Sequence, residues 1–172
     1  MEMRYDSWMQ RFGDIASDPG DGPTTRLRKS LLLGGVLVLI PIVLPWSILY
    51  FYLGYPLAAA MPGIYFLFSV FSVIFFLRTR NREFLRVSQY VFVLLLPWAL
   101  TMVLGGFHNS SAVIIWCVIS PLASLVIDGW EGTRHWFAYY LALLLAAGFL
   151  EPYMPKETTF SDGMITFFYV LN

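Results

Sequence analysis

The sequence predicts an all-α fold: a polytopic bundle of transmembrane helices with five full spans, the start of a sixth, and a short amphipathic N-terminal helix. Three observations predict it. The 172 residues are 58% hydrophobic and only 13% charged, against about 25% charged in an ordinary soluble domain. The apolar residues fall into runs near the length that crosses a bilayer. The basic residues gather in the connections of one side.

Residues 1–29 form a polar N-terminal segment. Tyr5, Trp8, Met9, Phe12 and Ile15 recur at three- and four-residue spacing, which predicts an amphipathic helix. It either packs on its own membrane domain or lies among cytoplasmic headgroups with Trp8 as anchor. The run Asp18-Pro19-Gly20-Asp21-Gly22-Pro23 breaks it, and Arg26, Arg28 and Lys29 form a basic collar. No cleavable signal peptide is expected from so polar a start.

The membrane module is expected over residues 30–172. Ser30 to Leu77 carries no charge and is too long for one span of about 20 residues. Gly54-Tyr55-Pro56 divides it into span 1, residues 30–53, and span 2, residues 57–77. Pro41 and Pro45 should kink span 1, since each removes a backbone donor. A basic loop, Arg78 to Arg86, leads to span 3, residues 87–104, with Pro97 inside. Span 4 covers residues 111–127, Asp128 to Arg134 form a turn, and span 5 covers residues 135–150. A polar loop, Glu151 to Gly163, precedes a last segment at 164–172 whose apolar run is Met164 to Leu171. Eight helical residues rise about 12 Å, under half of the roughly 30 Å hydrocarbon core, so the sixth span is expected to be incomplete.

Of 11 lysines and arginines, only Lys156 falls on the side opposite the N-terminus. That bias predicts a cytoplasmic N-terminus. It places the neutral polar knot Gly105-Gly106-Phe107-His108-Asn109-Ser110-Ser111 on the outer face. Two readings of the knot stand side by side. In one, the glycines end span 3 while Asn109 and the serines cap span 4. In the other, its polar groups form an extracytoplasmic sensing surface, with Gly105 and Gly106 permitting close backbone approach.

Chemical machinery is missing from the pattern. There is no HExxH, P-loop, GxSxG or Cys/His cluster at ligand spacing. No catalytic, cofactor-binding or metal residue is assigned. His108 and His135 fall on opposite sides of the membrane, and Cys117 sits alone in an apolar run. No ionisable residue lies deep in a span, which argues against a pump or proton-coupled carrier. Zero formal net charge gives no reason to expect nucleic acid. The expected partners are the lipid bilayer and a second copy of the chain. Small residues at Gly34, Gly35, Ala142, Ala146 and Ala147 suit helix packing, either within the bundle or between copies.

The stretch LGGFHNSSAVIIWCVISPLASLV, Leu104 to Val126, resembles the third-to-fourth-span signature in the N-terminal six-span membrane module of bacterial class III adenylate/guanylate cyclases. The likeness extends to Arg26–Lys29, Trp46–Tyr50, Pro62–Tyr65, Leu94–Pro97, Arg134–Ala138, Leu150–Tyr153 and Phe167–Asn172, so it covers about Thr25 to Asn172. Related modules also front other outputs such as histidine kinases. The resemblance implies a bacterial inner-membrane anchor and sensor for cyclic nucleotide signalling, acting as a homodimer on an unidentified extracytoplasmic or membrane ligand. The family's catalytic domain uses Mg or Mn, held by aspartates for which this chain has no matching positions. The chain is therefore expected to be a fragment without cyclase activity of its own. A small transporter is the remaining, less favoured reading.

Overall fold

The computed structural model describes residues 15, 17, 20–154 and 160–171. Among them are helices and turns and no strand. The amphipathic helix expected before Asp18 lies outside the described residues except for Ile15 and Ser17. The Ile15 carbonyl accepts a hydrogen bond from Arg80 Nη1.

Helix α1 runs Pro23–Tyr52, starting well before the expected boundary at residue 30. Pro23 occupies the first turn, where a missing N–H costs nothing and φ is already helical. The basic collar is thus wound into α1, and Lys29 Nζ pairs with Asp21 at 2.5 Å. Pro41 and Pro45 lie inside the helix, which continues past both. Gly54, at φ +83°, turns the chain, and α2 begins at once as Pro56–Thr79. The expected basic loop 78–86 shrinks to a two-residue turn. Arg80 ends α2 in the left-handed conformation, and Asn81 caps α3, Arg82–Val103, its side chain accepting from the Phe84 N–H at 3.0 Å.

The fourth apolar run departs most from expectation. It is a six-residue 3-10 segment, Val113–Val118, continuing into a ten-residue helix α4, Ile119–Asp128. Two consecutive non-glycine residues, Ser111 and Ala112, sit at φ +52° and +56° and stop a regular helix from starting at 111. Gly129 (φ +78°) then admits α5, Trp130–Leu150, so the expected 128–134 turn is a single residue. A short 3-10 turn, Glu151–Tyr153, follows, and α6 covers Asp162–Leu171.

Among the described residues, three helices, α1, α2 and α3, are long and apolar enough to cross a membrane. Of the five full spans expected from sequence, this measure shows three. The fourth run is too short, and α5 begins with Glu131, Arg134 and His135, which shorten its apolar part.

Chain reversals at Gly54 and Arg80 give the bundle two ends, each with its own core. One end gathers Leu32, Leu33, Val36, Val73, Phe76, Leu85, Tyr90 and Ile127. The other gathers Tyr50, Ala58, Ala59, Leu100, Leu104 and Val113 with Phe160, Ile165 and Phe168 of the C-terminal segment. Between α2 and α3 the packing is polar. Tyr65 donates to Gln89 Oε1 at 2.9 Å, Gln89 Nε2 donates to Ser69 at 3.3 Å, and Ser88 donates to Ser72 at 3.3 Å. All five are buried. Where lipid surrounds a protein, such bonds hold helices together because apolar surface gains nothing by leaving hydrocarbon. Side chain to backbone bonds do the same elsewhere: Trp98 to the Leu143 carbonyl at 3.0 Å, and Ser120 to the Tyr90 carbonyl at 2.9 Å.

Candidate functional site

The knot at 105–111 is built from the end of α3 upward. Gly105 N–H bonds the Met102 carbonyl at 3.2 Å, and Gly106 N–H bonds the Thr101 carbonyl at 2.9 Å. These close the last turn of α3 with glycines at φ +86° and +104°. Thr101 is itself fully buried and donates back to the Pro97 carbonyl at 2.9 Å. The loop then coils on its own backbone: Ser110 N–H to Gly106, Ser111 N–H to His108 and Ala112 N–H to Phe107.

Among the described residues, Glu151 and Ile165 fasten this coil to the C-terminal part of the chain. The Phe107 N–H points at the Glu151 carboxylate, 3.1 and 3.0 Å from its two oxygens. The fit is tight, since a Cβ on Gly106 would lie 2.6 Å from Glu151 Oε1. On the other flank, Ser111 Oγ donates to the Ile165 carbonyl in α6 at 3.0 Å. Ile165 sits in the first turns of α6, and its side chain joins the same core as Leu104 and Val113.

The structure therefore separates the polar groups of the knot. Ser110 and Ser111 are buried, Ser110 donating to the Phe107 carbonyl at 3.3 Å. Asn109 is half-buried, with its amide 3.5 Å from the Gly105 carbonyl. Phe107 packs against the core of Leu94, Ile114, Cys117 and Ala147. Only His108 is exposed. The glycines do end α3. The residue at the start of the 3-10 segment is Ala112, and no side chain caps it.

Sequence reasoning missed Glu151 and Ile165, which hold the knot from 44 and 54 residues away. It also missed a charged cluster at the opposite end. Arg86 bridges Glu83 and Asp128, and Ser124 donates to Asp128 at 3.3 Å. Arg86 Nε and the Tyr90 hydroxyl are buried there with no hydrogen-bond partner among the described residues. A Cβ on Gly132 would lie 2.7 Å from that of Asp128, so α5 starts close against the cluster. Asp128, expected only as part of a turn, thus anchors α3 to the α4–α5 corner through Arg86. His135 opens no site with His108. Among the described residues no three His, Cys, Asp or Glu side chains come together as a metal site.

With this geometry in hand, comparison with protein-family models, curated proteins and solved structures finds no match. The arrangement itself is a mechanical junction. It carries a strained loop, one carboxylate clasp and one hydroxyl clasp, and it joins the ends of α3 and α5 to α6.

Proposed function

We propose that this chain is the membrane anchor and sensor module of a signalling protein, with a bacterial adenylate or guanylate cyclase as its output. One observation carries the reading: Ser111 of the polar knot grips the backbone of α6. In a module of this kind α6 leads from the bundle toward the output domain, and the knot touches it directly. A change at the knot then reaches α6 through this buried bond. The cyclase output rests on the resemblance of Leu104–Val126 and its flanking motifs. In this reading the N-terminus is cytoplasmic, the knot faces outward, five spans cross the bacterial plasma membrane, and two copies associate.

Signalling requires two bundle arrangements that a stimulus prefers unequally. Removing a buried hydrogen bond changes such a balance by about 1 kcal/mol, or about five-fold. The test fuses the chain to a class III cyclase catalytic domain and compares wild type with Ser111→Ala in membranes. Cyclic nucleotide formation is expected to shift about five-fold at equal protein abundance. Identical output from both forms would remove the reading.

A further inference from the structure

The starts of α1, α3 and α5 and the ends of α2 and α4 meet at one end of the bundle, where Leu33, Phe76, Leu85 and Ile127 share a core. The charges at this end are sorted by depth. Lys29 and Arg86, both partly buried, take the carboxylates: Asp21 pairs with Lys29, and Glu83 and Asp128 pair with Arg86. Arg26, Arg28, Arg78 and Arg134 have no carboxylate partner among the described residues. Arg26, Arg78 and Arg134 are exposed, and Arg28 is half-buried. Arg80 donates to the Ile15 carbonyl, which is neutral and leaves its charge uncompensated as well. Among the described residues of this end, Glu131 is the one acid outside an ion pair, and it too is exposed. The outward charge is therefore mostly arginine.

Apolar surface lies one helical turn farther toward the middle of each helix. Side chains three or four residues apart share a helix face. Leu31 follows Arg28 by three residues in α1, Ile74 precedes Arg78 by four in α2, and Phe137 follows Arg134 by three in α5. Each of these apolar side chains is nearly half exposed. Arg28 and Arg78 belong to helices long and apolar enough to cross a membrane. Trp130, 73% exposed, opens α5 at the same end, and tryptophan favours the level of the headgroups. A partner that meets both features has an anionic head and an apolar chain. Nucleic acid or an acidic protein meets the arginines alone. Guanidinium suits phosphate in particular, because its planar fork takes two oxygens at once.

We propose that this end of the bundle binds anionic phospholipids of the surrounding membrane, their phosphate-bearing heads on Arg26, Arg28, Arg78 and Arg134 and their acyl chains along Leu31, Ile74 and Phe137. A zwitterionic lipid brings its own ammonium to the same place, where the arginines repel it. The surface thus selects lipids by the net charge of the head. The inference stands apart from the sensor reading, since it needs neither an output domain nor a movement of α6.

The experiment immobilises the whole chain, so that Arg4, Arg11 and the four acids of residues 1–20 are present. It is equilibrated with neutral-detergent micelles holding equal phosphatidylglycerol and phosphatidylcholine of identical chains, and retained lipid is quantified by mass spectrometry. Phosphatidylglycerol should be enriched about ten-fold at about 50 mM salt and much less at about 500 mM, where screening is strong. Replacing Arg26, Arg28, Arg78 and Arg134 together by glutamine should bring the ratio near one. Glu131→Gln, which removes the exposed acid of the same end, should raise the wild-type ratio. A wild-type ratio near one overturns the proposal, as does an undiminished ratio in the fourfold variant. If the fourfold variant loses wild-type circular dichroism, the pairs Arg26→Gln with Arg28→Gln and Arg78→Gln with Arg134→Gln are measured instead. Each pair should lower the ratio about three-fold, and an unchanged ratio in both overturns the proposal. His108→Arg adds a cation at the opposite end; restoring the ratio of the fourfold variant by this change overturns the location. Soluble glycerophosphoglycerol carries the same head without chains and should not compete at equal concentration. Displacement by it overturns a membrane lipid as the occupant.

Discussion

Gly106 and Gly54 both have positive φ, yet they constrain the chain differently. At Gly54 a Cβ would meet nothing within 4 Å, so Gly54→Ala carries backbone strain alone, about 1–2 kcal/mol. At Gly106 the same strain is joined by a clash with the Glu151 carboxylate at 2.6 Å. Gly106→Ala is therefore expected to lower the thermal midpoint in detergent further than Gly54→Ala. Glu151→Ala introduced alongside should return part of that loss, because it deletes the clashing group. A double-mutant cycle with additive effects would contradict the contact. The glycine pair was legible in the sequence as the end of a helix. Its partner was not, because Glu151 lies 44 residues from Phe107 and looks like an ordinary loop acid. Ser111 and Ala112 gave no sign of their left-handed backbone, since that conformation is sparse for residues with a Cβ and no glycine marks it.

At the scale of elements, α2 and α3 are joined by the bonds among Tyr65, Ser69 and Gln89. Gln89→Leu strips the Tyr65 hydroxyl of its acceptor and should destabilise the bundle by about 1 kcal/mol. Adding Tyr65→Phe removes the stranded hydroxyl and should recover most of that loss, measured by thermal unfolding in detergent. The Arg86–Asp128 pair ties α3 to the corner before α5, with Asp128 only 11% exposed. Arg86→Ala leaves that carboxylate without its cation and should cost more, about 3 kcal/mol. Helix identities were readable because apolar runs and proline–glycine punctuation are local signals. Helix starts were not, since Pro23 and Asn81 extend α1 and α3 into segments that their charges had marked as loops. Hydropathy sees the charge. It does not see the cap.

For the whole molecule, the side on which each connection lies is open to direct measurement. Replacing the lone Cys117 by alanine and placing single cysteines at His108 or Arg80 gives two reporters, both exposed. Under the proposed topology, a membrane-impermeant thiol reagent added outside intact cells labels the first and not the second. Labelling of both or of Arg80 alone would reverse or break the assignment. The 3-10 winding of Val113–Val118 carries a last consequence, in the dimension of length. Six residues so wound advance about 12 Å rather than the 9 Å of an α-helix, which lets the short fourth run reach farther along the bundle normal. Rewinding them as α would draw Ser111 about 3 Å toward Asp128, a distance comparable to the difference in thickness between natural bilayers. The winding of this one segment thus supplies about 3 Å of the reach that carries Ser111 to α6.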